Sequence, residues 1–267
     1  MGEPLRIIVA GATGWAGSAL ARGIATADDM RLVGAVGRRA AGRRLGDMLQ
    51  ESRLDCLVHG SAAEALAAPA DVFVEFTKPE AAKANILAAV AAGCHAVVGT
   101  SGLTDADYDE IDRVARERRR AVLACGNFAI TAVLMMKFAE MAAGYLDHFE
   151  IVEAAHADKV DTPSGTAREL AARLGRVKQA KLAVPLDQVR GPRETRGATM
   201  SGVQVHAMRV PGYLLAVEAV FGAAGERLQI RHEAGASAEP YVGGALLAIR
   251  RVHTLVGVQR GLDAVMK

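Results

Sequence analysis

Short apolar runs, each followed by a glycine-rich or polar turn and then by a helical pattern, recur through the first half of the chain. Leu5 to Ala10 (Leu-Arg-Ile-Ile-Val-Ala) has the composition of a parallel strand buried on both faces. Arg31 to Val36, Asp55 to Val58, Asp71 to Phe76, His95 to Gly99 and Ala121 to Cys125 repeat the signal. Helical segments lie between them, such as Ser18 to about Ala25 and Glu80 to Ala92, the latter closed by Gly93. This alternation predicts an α/β fold with a doubly wound parallel sheet, in which ligands bind beyond the carboxyl ends of the strands.

After Phe128 the pattern changes. A helix is expected from Ile130 to Ala143, with Met135, Met136 and Met141 at a spacing that reads as core packing. Strand patterns follow at Phe149 to Ala155, Val203 to Met208, Tyr213 to Phe221 and Arg227 to Glu233. No helix separates the last three, which suggests a largely antiparallel sheet. Ala180 to Met200, with Gly191-Pro-Arg-Glu-Thr-Arg-Gly197, reads as a long loop or lid on the substrate side, and Pro240 to Leu255 as a final helix.

The 267 residues are 51% hydrophobic, enough for a sizeable core in one large or two smaller domains. A formal net charge of +2 with interspersed signs gives no nucleic-acid surface. No apolar run spans a bilayer and no signal-peptide pattern precedes the first strand, so no membrane partner and a cytoplasmic location are expected. Cys56, Cys94 and Cys125 are far apart in apolar runs, the pattern of buried thiols rather than of a disulfide framework or metal site.

Two stretches carry chemistry. In the first, Gly11-Ala12-Thr13-Gly14-Trp15-Ala16-Gly17 stands between the first strand and its helix, the setting a dinucleotide fingerprint requires. Gly11 would allow the tight turn, Gly14 would let a pyrophosphate approach and Gly17 would permit close packing of helix on strand. The second strand ends in Gly37-Arg38-Arg39 with no acid for a ribose hydroxyl. Two guanidiniums suit a 2′-phosphate, so NADPH is expected to bind better than NADH, although a solvated basic loop has equal standing for either arginine alone. Phe76-Thr77-Lys78-Pro79, Gly99-Thr100-Ser101-Gly102 and Gly126-Asn127-Phe128 fall at later strand ends, where a nicotinamide should lie.

The second stretch runs from Glu153 to Ala167. Pro163 suits a first helical position, and Ser164, Gly165 and Thr166 would then offer unpaired N–H groups to an anion, with Lys159 and His156 adding one fixed and one titratable charge. A capped helix start that binds nothing shares much of this composition. Capping, however, needs neither the lysine nor a glycine in the first turn.

With these residues in view, the chain resembles the 4-hydroxy-tetrahydrodipicolinate (dihydrodipicolinate) reductase family from Arg6 to about Val252. Lys159-Val-Asp-Thr-Pro-Ser-Gly-Thr166 is the most specific part, and Phe76 to Pro79, Gly99 to Gly102, Asn127-Phe128 and Phe221-Gly-Ala-Ala-Gly-Glu-Arg-Leu228 support it in order. The resemblance implies a Rossmann domain of residues 1–127 and 239–267, and an α+β substrate-binding and tetramerisation domain of residues 128–238 whose open mixed sheet faces other subunits of a homotetramer. It implies that Lys159, Gly165 and Thr166 hold substrate carboxylate, that His156 lines the same pocket, and that Gly99 to Gly102 and Phe76 to Lys78 contact the cofactor.

The family usually has two adjacent histidines before the lysine, the first taken as proton donor; here they are Ala155 and His156, followed by a small acidic pair, Ala157-Asp158. Three readings stay open on sequence. The first is reduction of the family substrate by NADPH, or by NADH, with Lys159 and His156 as catalytic groups. The second is a divergent reductase or amine dehydrogenase for another imine or keto acid. The third is a non-catalytic NADPH sensor.

Overall fold

A computed structural model describes residues 3–266. The chain divides into two compact units. One comprises the chain up to Ile130 together with the segment from Ala238 onward; the other is Thr131–Ser237.

The first unit begins β1 (Leu5–Ala10), α1 (Trp15–Ala25), β2 (Met30–Val36), α2 (Leu45–Leu49), β3 (Val58–His59), α3 (Ala62–Ala65), β4 (Val72–Glu75), α4 (Pro79–Ala91), β5 (His95–Val98), α5 (Asp105–Glu117) and β6 (Ala121–Ala124). At Ile130 the chain enters α6 (Ile130–Tyr145). The second unit continues with β7 (His148–Ala155), α7 (Gly165–Val177), β8 (Ala198–Met200), β9 (Val203–Arg209), β10 (Leu215–Ala223) and β11 (Glu226–Ala234). The chain then returns to the first unit with α8 (Glu239–Arg251) and β12 (Gly257–Arg260).

The first unit is a Rossmann-type layer: seven parallel strands in the order β12-β6-β5-β4-β1-β2-β3 with helices between them. Ile7, Ile8, Val9, Phe73, Val74, Val97 and Leu123 are all fully buried, as strands covered on both faces require. The order reverses between β1 and β4, so the carboxyl ends of these neighbours open the crevice in which such sheets bind ligands. α1 starts at Trp15, three residues before the expected Ser18, because Gly14 already serves as its N-cap. β12 has no counterpart among the expected strands.

The second unit is a five-stranded mixed sheet, β11-β10-β7-β9-β8. Its pairs are antiparallel except β7 with β9, where the α7 crossover brings the chain back in the same direction. α6 and α7 cover one face, packing Met135, Met136, Leu170 and Leu174 against Phe149, Ile151, Val217 and Phe221. Met141, expected in this core, is 65% exposed. At about 100° per residue it lies roughly 120° around the helix from Met135.

Residues 180–200 are not a lid over the Lys159 loop within this unit. His148 Nδ1 meets the Lys181 carbonyl at 2.8 Å, Lys181 N–H donates to the Asp147 carbonyl, and Arg196 pairs with Glu150. The segment is thus tied to the His148 end of β7, whereas the Lys159 loop leaves from Ala155 at the other end. The three thiols are buried, and none forms a disulfide among the described residues. Among the described residues no helix is long and apolar enough to cross a membrane.

Candidate functional site

The first unit carries a cavity of about 250 Å³ at the carboxyl ends of β1, β4, β5 and β6. Trp15, Ala16, Phe76, Thr77, Gly99, Thr100, Asn127 and Phe128, all singled out in the sequence, line it; Cys125, Gly126 and Tyr241 complete it. Tyr241, from α8, meets Trp15 edge-on at 5.6 Å between ring centroids. Nothing in the local sequence marks Tyr241, because the contact depends on the chain returning across the whole second unit.

The backbone here fits a nucleotide. Gly11 has φ +80°, and a side chain on it would strike the Phe76 carbonyl, while one on Gly17 would strike the Gly11 carbonyl. Gly14 has no side-chain cap, so the first N–H groups of α1 are left for an anion. Gly99 sits against the Phe76 and Phe128 rings, themselves edge-on at 5.5 Å, with no room for a methyl group. Asn127 accepts the Ala129 N–H at 2.8 Å. Lys78 is the N-cap residue of α4 and Gly102 turns at φ +97° against Pro79; with Ser101 they lie outside the cavity lining. Arg38 and Arg39, in a 3₁₀ turn beyond β2, are exposed and neither is paired among the described residues. No carboxylate follows β2 before them.

In the second unit, Glu153, which the sequence reading passed over, organises the Lys159 loop. It is fully buried near the end of β7. Its Oε2 accepts the Ser164 N–H at 2.5 Å, and Arg209 Nη2 stands 2.6 Å from Oε1, an ion-pair contact without a hydrogen directed at that oxygen. Arg209 also donates to the carbonyls of Asp161 (2.7 Å) and Lys159 (3.3 Å). One guanidinium therefore fastens the loop to the strand that precedes it.

Two expectations about the helix start need correction. Pro163 is not the first helical residue: Ser164 is the N-cap and its hydroxyl accepts the Ala167 N–H, so α7 begins at Gly165. The Ser164 N–H is not free for a ligand, because Glu153 holds it and the residue is buried. Gly165 remains open, with only Arg168 within 4 Å of where a Cβ would stand.

Both Lys159 and His156 are engaged within the loop. Lys159 Nζ donates to Asp161 Oδ1 at 2.6 Å, and His156 Nδ1 lies 2.5 Å from Asp158 Oδ1. The bond from Lys159 holds the Asp161 carboxyl below its ordinary range, and the bond from His156 does the same to Asp158. Ala155 is fully buried in the sheet, and alanine, not histidine, directly precedes His156. A larger cavity of about 940 Å³ lies on the uncovered face of the same sheet, under residues 181–196, and contains none of the expected site residues.

Two family models cover nearly the whole chain: dihydrodipicolinate reductase, N-terminus, over residues 5–128, and dihydrodipicolinate reductase, C-terminus, over residues 131–265. The 4-hydroxy-tetrahydrodipicolinate reductase of Desulfitobacterium hafniense (strain DSM 10664 / DCB-2) is 36% identical over 263 residues, covering 98% of each chain. That of Moorella thermoacetica is 37% identical over 266 residues, again covering 98% of each. A dipicolinate-bound dihydrodipicolinate reductase from Paenisporosarcina sp. TG-14 superposes with a TM-score of 0.86 at 26% identity, over 98% of this chain and 99% of that one. An amine dehydrogenase from Mycobacterium smegmatis, at 16% identity and a TM-score of 0.69 over 97% and 95%, shares the fold. With both halves matched in order and relatives aligned end to end, the chain belongs to the dihydrodipicolinate reductase family.

Proposed function

We propose that the chain reduces 4-hydroxy-tetrahydrodipicolinate to tetrahydrodipicolinate with NADPH, a step of lysine and diaminopimelate biosynthesis, as a cytoplasmic homotetramer. The observation that carries this reading is the Lys159 loop, clamped at the head of α7 in a chain that matches the family from end to end. Bound in the first unit, the dihydronicotinamide supplies hydride to an unsaturated carbon of the substrate ring.

The chain's own groups do the rest. The Gly11 to Gly17 turn holds the pyrophosphate on backbone N–H groups, and Arg38 and Arg39 hold the 2′-phosphate. Phe76, Gly99 and Phe128 shape the cavity floor and exclude water. Lys159 turns from Asp161 to the substrate carboxylate, which the α7 N-terminus at Gly165 and Thr166 also receives. Lys159 and His156 stabilise developing charge or deliver the proton. The uncovered face of the second unit's sheet is the surface for tetramer contacts.

Incubating purified protein with the dihydrodipicolinate-level substrate and NADPH tests the proposal. Absence of turnover at every pH, from folded protein that binds cofactor, overturns it. Ala155 favours a second reading, a divergent reductase for another imine or keto acid. Ala155→His separates the two: a family enzyme gains rate, by up to about 10²-fold if a general acid is restored, whereas a paralogue does not.

A further inference from the structure

Glu75 is the last residue of β4, directly before the cavity-lining Phe76 and Thr77, and is fully buried. A carboxylate so placed needs partners on both oxygens. Oε1 accepts from the Thr77 N–H (2.7 Å) and the Thr77 hydroxyl, and the Thr100 hydroxyl lies 3.3 Å away; Oε2 accepts from Asn85 Nδ2 at 2.8 Å. The Thr100 hydroxyl is also 3.2 Å from the Glu75 carbonyl and can donate to only one of the two at a time. All these donors are neutral, and among the described residues no lysine, arginine or histidine pairs with the group. One carboxyl group therefore ties together two walls of the cavity, Thr77 and Thr100. An amide could make such ties without the burial cost of a charge.

We propose that Glu75 is a positioning residue whose charge also biases the cavity toward the oxidised nicotinamide. This rests on the cofactor reading given above. Reduction of the substrate moves a hydride, with its electron pair, from C4 of the dihydronicotinamide to a substrate carbon. It leaves one positive charge on the oxidised ring and takes up one proton at the substrate. A buried anion beside the cavity acts through a low effective dielectric, so it stabilises the cationic ring relative to the neutral one and favours hydride departure.

The test compares equilibrium dissociation constants for NADP⁺ and NADPH, measured by calorimetry, in the wild type, Glu75→Gln and Asn85→Lys. The second variant keeps the carboxylate and sets an ammonium against it from a half-buried position. The ratio Kd(NADP⁺)/Kd(NADPH) is expected to rise about tenfold in Glu75→Gln, equivalent to about 30 mV in the bound couple. Asn85→Lys should shift the ratio in the same direction, and it decides alone if Glu75→Gln does not fold. Equal weakening of both cofactor forms, with the ratio unchanged, overturns the proposal and leaves Glu75 a neutral tie. A folded wild type that binds neither form overturns the cofactor reading itself, and this inference with it.

Discussion

Arg209 holds together the strand end, the Lys159 loop and the head of α7, and its removal gives the sharpest test of that geometry. In Arg209→Ala the Glu153 carboxylate, with no exposed surface, loses the cation 2.6 Å from Oε1, and the carbonyls of Lys159 and Asp161 lose their donor. Stranding one member of a buried ion pair costs about 3–5 kcal/mol, and the two carbonyls, free to hydrate, add little. A loss of about 4 kcal/mol should lower the melting temperature by about 10 °C. Glu153→Gln should be milder, about 1–2 kcal/mol, because the amide oxygen still accepts the Ser164 N–H and Arg209, 16% exposed at its side chain, can turn to water. Combining the two removes the stranded charge, so the double variant should be about 2 kcal/mol more stable than Arg209→Ala alone. Urea unfolding of the four proteins closes the cycle. A double variant less stable than Arg209→Ala would refute the account of Glu153 as a charge compensated by Arg209.

Other consequences can be checked directly. Lys159→Ala should raise KM for the dicarboxylate by about tenfold or more while leaving the NADPH dissociation constant within about twofold, as steady-state kinetics and fluorescence titration would show. Arg38→Ala with Arg39→Ala should weaken NADPH by about tenfold and NADH far less; an unchanged ratio would count against 2′-phosphate recognition. Burial lowers the pKa of both His232 and His95 from the ordinary 6.5, so the unfolded chain takes up protons first as pH falls. Their contribution to stability is complete above about 6.5 and is lost progressively below it, so the urea midpoint should fall between pH 7 and pH 5. His232→Gln should flatten that slope.

The alternation of strand and helix in the first half was legible because the central strands are buried on both faces and read as largely apolar runs. β12 (Gly257–Arg260) was not, since an edge strand carrying glutamine and arginine lacks that signature and is defined by pairing with β6, far back in sequence. The cavity residues Trp15, Phe76, Gly99 and Phe128 could be found because turn glycines and strand ends mark themselves locally. Glu153, Arg209 and Tyr241 could not. A carboxylate is by default a surface residue, and only the arrival of Arg209 from another strand makes its burial tolerable. Likewise the expected Pro163 start rested on a general preference at helix N-termini, whereas here the Ser164 hydroxyl sets the cap and the helix begins two residues later, at Gly165.

The late return of α8 and β12 to the first unit bears on how the molecule is made. When the ribosome has released β6, that strand has lost the company of only one neighbour, yet its apolar Ala-Val-Leu-Ala edge stays open until β12 emerges. The intervening ~130 residues take ~7–26 s to synthesise at ~5–20 residues per second. During that interval the nascent sheet presents an unpaired border capable of joining another chain, and the Trp15 side of the cavity lacks Tyr241. Completion of the nucleotide pocket therefore waits until the inserted unit has been made, and a transcript truncated directly after that unit would encode a protein with an unfinished pocket and a sticky margin.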